Sequence, residues 1–366
     1  MNVYIKNAAL SRFGKQDCSV LDLSADTCEK ALHGTEREKV DALVISSFAP
    51  EKYTEEYHLG AKLADRLRLK DIFCLRSETA SSSGASAVIL ASNLIQSGRF
   101  SNVLVVGTEI MSRLDREKNN ILLGSVLSET QRGFAMSMAQ GAAMITRLYL
   151  KKYNYNEEDL FYIAEKLHLN GSRNPIAHIQ KPITREMYNA GPKFATPLGL
   201  YDISPLSDGS AALLLSSEKG PLKILGTGYG TAGFSKSDAE PSFSSSISAF
   251  SRAFSEAGIL PSQIHCAELH DAFTTFELIG AEDAGLFPRG EALRAVIEGH
   301  THPDSIKPIN ASGGLKTRGH PIGASGTAQI AELFSFMQKK KLQFGLTHSI
   351  GGLATNNFAV ILENCG

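Results

Sequence analysis

The sequence predicts an α/β protein built by duplication, and three observations carry that prediction. Strand-like apolar runs alternate with helical stretches of about 10–15 residues. The same order of elements occurs twice along the chain. In each copy a Gly-Ala-Ser tripeptide, at 84–86 and again at 323–325, opens a long apolar helix.

In the first copy an alternating strand over 3–9 leads through a helix near 22–33 to the apolar strand 40–46. A helix near 54–67 follows, then the small-residue turn 81–86, a helix reaching 96 and the strand 103–107. The second copy begins with the strand 222–226 and runs through a helix near 245–257 to the strand 266–270. After a helix near 274–284 come the turn 323–326, a helix reaching 339 and a closing strand ahead of the apolar run 357–362. Strands joined by helical crossovers are covered on both faces, so mainly parallel sheets are expected. Between 111 and 196 the rhythm breaks. A helical run over 135–152, the acidic Asn156-Glu157-Glu158-Asp159 and the loop Asn174-Pro175-Ile176-Ala177-His178 form an insertion, after which strand character returns at 207–215. The domain organisation is therefore an N-terminal half over 1–219, interrupted by an insertion at about 113–196, and a C-terminal half over 220–366.

Composition narrows the function. At 366 residues the chain can hold two buried cores, and its formal net charge of −1 gives no reason to expect a nucleic acid. Lys339-Lys340-Lys341 reads as the solvated end of a helix. No uninterrupted apolar window reaches the length of a membrane span, and the first residues enter a strand directly, so a cytoplasmic protein is expected. The 5 cysteines lack Cys-x-x-Cys or zinc-type spacing; they read as reduced thiols, and no metal site is expected. Gly228-Tyr229-Gly230-Thr231-Ala232-Gly233 has dinucleotide-binding spacing, but Ser, Asp and Pro241 follow it instead of a helix, so it is rejected as a phosphate loop.

The run 310–326 sets five glycines around one histidine, in Gly313-Gly314-Leu315-Lys316-Thr317-Arg318-Gly319-His320-Pro321-Ile322-Gly323-Ala324-Ser325-Gly326. Glycine lets backbone amides and an imidazole come close to a bound group. With a tripeptide of the same kind in each half, two helix N-termini can be aimed into one cleft, where their amides favour developing negative charge.

This run closely resembles the histidine motif of the thiolases, in particular the sterol-carrier-protein type and the archaeal acetyl-CoA acetyltransferase branch. The resemblance covers nearly the whole chain. It implies a duplicated five-layer α/β/α/β/α fold, an active site between the halves, and a cap formed by the insertion over the coenzyme A substrate. It assigns His320 as base and His270, in His270-Asp271-Ala272-Phe273, as its partner in polarising the thioester oxygen. Ser349, in Thr347-His348-Ser349-Ile350-Gly351-Gly352, falls where biosynthetic relatives carry a second cysteine; His348 reads as structural. The Gly351 amide would join that of the nucleophile in a second oxyanion hole, although Leu353-Ala354-Thr355 departs from the family's glycines. The resemblance further implies an acyl-CoA substrate, no permanently bound cofactor, a homodimer with the strand 103–106 near its interface, and a zinc-ribbon/OB-fold subunit that helps hold CoA.

One departure matters most. In Glu78-Thr79-Ala80-Ser81-Ser82-Ser83-Gly84 the family's nucleophilic cysteine is Ser81. Ionising a serine costs roughly 7 more pKa units than a cysteine, or about 10 kcal/mol before the site compensates. Three explanations stand: an engineered Cys-to-Ser change in an acyltransferase, a thiolase-like aldolase acting on a 3-hydroxyacyl-CoA without an acyl-enzyme, or a catalytically silent acyl-CoA-binding subunit.

Overall fold

A computed structural model of the chain describes residues 1–233 and 240–366. Strand β1 (Val3–Leu10) is followed by helix α1 (Val20–Ala31), whose first turn is capped by Ser19 Oγ accepting from the Asp22 amide at 3.0 Å. Next come β2 (Ala42–Ser46), the short α2 (Pro50–Tyr53), α3 (Leu59–Arg66), β3 (Phe73–Ser77), α4 (Ser83–Gln96) and β4 (Asn102–Ile110). The insertion holds α5 (Arg116–Gly124), α6 (Glu129–Gly133), α7 (Met138–Tyr153), α8 (Leu160–Ser172), α9 (Arg185–Ala190) and a small hairpin of β5 (Lys193–Ala195) and β6 (Leu198–Gly199). The chain returns to the sheet as β7 (Asp208–Ser216).

The second copy comprises β8 (Leu222–Thr231), α10 (Ser244–Ala257), β9 (Cys266–Glu268), α11 (Thr274–Asp283), α12 (Ala292–Ile297), α13 (Gly314–Arg318), α14 (Ser325–Lys340), β10 (Phe344–Gly351) and β11 (Asn356–Asn364). The strands hydrogen-bond in the order β3-β2-β4-β7-β1-β8-β11-β10-β9. The duplication is visible in the pairing. β2 pairs in parallel with β4, as β9 does with β10; β4–β7–β1 and β10–β11–β8 are both antiparallel. The halves meet edge to edge where Val3, Tyr4 and Ile5 oppose Ile224, Lys223 and Leu222.

Alternation along the strands builds the layers. Val103 and Val105 of β4 face the same core as Val88 and Ile95 of α4 and Ile330 and Leu333 of α14, while Leu104 and Val106 face α1 and α3. Leu222 and Leu362 of the second half also pack on α4 and α14, and the other side of that half meets α10, α11 and α12. Five layers result, with α4 and α14 in the middle, buried along most of their length.

Two expectations are corrected. The sheet is mixed: β7 and β11 return antiparallel to their neighbours, a direction that apolar runs cannot encode. The helix expected near 54–67 begins only at Leu59, because Glu55 and His58 take left-handed backbone angles of 59° and 56°. The strand at 103–106 lies inside the sheet, buried between β2 and β7, and β3 is the exposed edge. Two glycines of the rejected dinucleotide pattern serve packing, since a Cβ on Gly228 or Gly230 would collide with the carbonyls of Ala249 or Ser245 in α10. The residues 234–239 that follow this pattern are outside those described.

Candidate active site

The starts of α4 and α14 cross in contact. A Cβ on Gly326 would strike the Ala85 amide, and one on Gly84 would lie 2.9 Å from the Gly326 amide. Small residues at both N-termini are therefore a condition of this approach, and it brings together the loops that precede the two helices.

In the first loop Ala80 has a left-handed φ of 53°. Ser83 braces the bend: its hydroxyl donates to the Ala80 carbonyl at 2.6 Å and accepts from the Thr79 amide at 2.8 Å. Glu78 Oε1 accepts from the Ala80 amide at 2.6 Å. A strained turn stitched down in this way holds Ser81 at its tip.

The second loop is anchored from three sides. Asp271 accepts from the Leu315 and Lys316 amides at 2.7 and 3.2 Å, so the residue after His270 caps the helix that leads to His320. The insertion grips the same segment, with His178 and Ile179 amides donating to the Arg318 and Thr317 carbonyls at 3.0 and 2.9 Å. Beyond the histidine, the Gly323 amide donates to Glu109 Oε2 of β4 at 3.0 Å. Gly319 has a φ of 110°, a backbone state that only glycine adopts readily.

Ser81 Oγ lies 3.3 Å from His320 Nε2. On the far side of the ring, His320 Nδ1 lies 2.7 Å from Ser325 Oγ, and that hydroxyl donates its proton to the Pro321 carbonyl at 2.9 Å. Ser325 can then only accept from the ring. The proton is thus assigned to Nδ1, and Nε2 presents its lone pair to Ser81. Burial, and next the Arg318 guanidinium, push the imidazole down to about 3, so it stays neutral with its Nε2 lone pair unprotonated. His270 packs edge-on to it with ring centres 5.2 Å apart. Burial, and then the neighbouring His320 imidazole, hold His270 well below the usual histidine range.

Ser81, His270 and His320 border one cavity of about 450 Å³, walled by Met138, Phe194, Ile203, Leu206, Phe273 and Phe276 among others. Two expected residues stand outside its lining. Ser349 turns its hydroxyl to Gln329 Oε1 at 2.7 Å, and the Gly351 amide donates to Asn357 Oδ1 at 3.3 Å, leaving Gly352 to line the cavity. His348 is structural, packed on Phe250 and bonded to Ser246 Oγ at 2.9 Å. Sequence reasoning missed Ser325 as the residue that orients His320, although it sits five positions on in the same motif, and it passed over Lys316 altogether.

A family model described as the thiolase N-terminal domain matches residues 3–219, and one described as thiolase C-terminal domain-like matches 231–364. The chain belongs to the thiolase family. It is 29% identical over 375 residues to an acetyl-CoA acetyltransferase of Methanothermobacter thermautotrophicus, covering 96% of each chain. It is 31% identical over 274 residues to sterol carrier protein 2 of Bos taurus, covering 69% of this chain and 50% of that protein. Among solved structures, one titled as an Ltp2-ChsH2(DUF35) aldolase superposes with a TM-score of 0.84 at 23% identity, covering 99% of this thiolase-family chain and 98% of that one. The duplicated, five-layer architecture is thus the thiolase fold.

Proposed function

We propose that this chain forms or breaks the carbon–carbon bond next to the thioester of an acyl-CoA, with His320 as base, Ser81 as the hydroxyl it activates and His270 as the group that polarises the thioester oxygen. One observation carries the reading: a neutral imidazole, its tautomer fixed by Ser325, faces Ser81 at 3.3 Å inside a largely apolar cavity. In the cleavage direction Ser81 Oγ attacks C3 of a 3-oxoacyl-CoA while His320 Nε2 takes its proton. The C2–C3 bond breaks, its electron pair moves into the thioester as an enolate, and C2 is then protonated. CoA sulfur finally attacks the acyl carbon and the bond to Ser81 Oγ breaks, the thiol proton passing through His320 Nε2 to that oxygen. The amides of Ser81 and Gly351 are the proposed second donor pair, with Gly351 exchanging Asn357 for the substrate oxygen.

CoA acts here as substrate and product, with no resident cofactor. Arg116, whose guanidinium stacks 4.8 Å above the Phe194 ring at the cavity, offers a cation to its phosphates. We take 1–219 and 220–366 as the two halves, 113–196 as the cap, and the assembly as a cytoplasmic homodimer aided by a small zinc-ribbon/OB-fold subunit. Among the described residues no helix is long and apolar enough to cross a membrane.

A second reading is favoured by Ser81 itself. None of the free cysteines at 18, 28, 74, 266 and 365 lines the cavity, so no thiol stands in for Ser81 in taking up the acyl group. In an aldolase the base would remove the proton of a 3-hydroxyl. The C2–C3 bond would then break to a carbonyl compound and an acyl-CoA enolate, and no bond to Ser81 would form. Turnover of a 3-hydroxyacyl-CoA and of a 3-oxoacyl-CoA with CoA separates the readings. Acyl transfer requires that Ser81→Ala and His320→Ala both abolish thiolysis, whereas an aldolase loses cleavage with His320→Ala and largely keeps it with Ser81→Ala. Binding of CoA thioesters without either turnover would leave the silent subunit and refute both.

A further inference from the structure

Among the described residues three cations are buried, Lys166, Lys316 and Arg318. Two are paired with carboxylates inside the protein, Lys166 with Glu277 and Arg318 with Glu332. Lys316 is not. It is 2% exposed, and among the described residues its Nζ makes no hydrogen bond or ion pair. Two acids share its surroundings, but both are engaged elsewhere. Asp202 accepts from Tyr188 Oη at 2.9 Å, the Gly199 amide at 2.8 Å and Thr274 Oγ1 at 3.3 Å; Asp271 accepts from the backbone of Leu315 and of Lys316 itself.

Lys316 lines the same cavity as Ser81 and the two histidines. Its ammonium is not among the sealed, unpaired atoms that include His270 Nδ1 and Arg318 Nη2, so what it remains open to is the cavity. Burial pushes it down to about 8, while Asp202 and Asp271 act the other way. The charge of Lys316 bears on His168 and His178, from the cap, while Arg318 is the cation that bears on both His270 and His320. An acyl chain ending in a methyl group would leave the Lys316 cation dehydrated in a cavity that Phe273, Phe276 and Leu206 also line, which is unfavourable. A carboxylate at the end of that chain would complete its coordination.

We propose that Lys316 is a specificity-determining residue that binds a carboxylate on the acyl group, so that the preferred substrates are CoA thioesters of dicarboxylic acids. The inference rests on the acyl-CoA reading of the site and extends it to the far end of the chain. It leaves the bond-making groups as assigned and adds one charge-assisted pair between substrate and protein.

The test is calorimetric titration of the full chain with two matched series: malonyl-, succinyl-, glutaryl- and adipyl-CoA against propionyl-, butyryl-, valeryl- and hexanoyl-CoA. At the best-fitting length the carboxylate thioester should bind about tenfold tighter or more than its neutral counterpart. Lys316→Met and Lys316→Gln should each remove that preference, and Lys316→Met should tighten the neutral ligand. The wild-type comparison stands even if a variant fails to fold. Equal or tighter binding of the neutral thioesters at every length would overturn the inference while leaving the acyl-CoA reading intact, as would a preference that survives both substitutions. Binding of neither series would overturn the two together.

Discussion

At the scale of single residues, the chemistry depends on which nitrogen of His320 carries the proton, and a serine five positions on decides it. Because Ser325 gives its own proton to Pro321, it accepts from Nδ1 and leaves Nε2 free to act on Ser81. Ser325→Ala should lower kcat by about 10–100-fold while the fold is retained, as expected when a base loses its orienting partner. Burial sets the pH dependence. With its pKa depressed to about 3, His320 remains unprotonated far below the ordinary histidine value, so the acid limb of kcat/KM should lie well under pH 6.5. An acid limb at 6.5 or above, or full activity in Ser325→Ala, would contradict this assignment. The sequence marked His320 through its glycine-rich motif, and Ser81 and His270 through the resemblance of their surroundings to thiolase motifs. Lys316 was silent there, since an orphaned cation is defined by what its neighbours fail to supply.

At the scale of elements, the two Gly-Ala-Ser tripeptides announced that α4 and α14 would share a cleft, and their backbones do meet at Gly84, Ala85 and Gly326. Strand direction was not legible, because an apolar run reads the same both ways. Nor was the edge of the sheet. The structure leaves β3 on the edge, with Phe73 43% exposed and its ring centre 5.6 Å from that of Phe100. An unpaired edge carrying exposed aromatic surface invites a second strand. The proposed homodimer should accordingly form through β3: sedimentation should give at least a dimer at micromolar concentration, and Phe73→Glu should shift it toward monomer. A monomeric wild type, or a dimer indifferent to Phe73→Glu, would place the interface elsewhere or remove it.

At the scale of the whole molecule, duplication is what makes a site possible. Neither half holds a complete set: Ser81 comes from the first, His270 and His320 from the second, and the insertion closes the cavity with Met138 and Phe194. The Glu109 carboxylate, reaching from β4 to the Gly323 amide at 3.0 Å, ties the histidine loop of one half to the sheet of the other. The repeated order of elements and the paired motifs made this arrangement readable from sequence. What fills the acyl end of the cavity was not, since its wall is assembled from the insertion, the β6–β7 connection and α11. The proposed function requires that His320 and oxyanion donors act on a group held at position 81. Mass spectrometry of Ser81→Cys after mixing with acetyl-CoA tests it most directly. The account predicts a covalent acetyl adduct on residue 81 that is discharged by added CoA and absent when His320→Ala is combined with it. A folded Ser81→Cys protein that takes up no acetyl group, or takes it up equally without His320, would contradict the account.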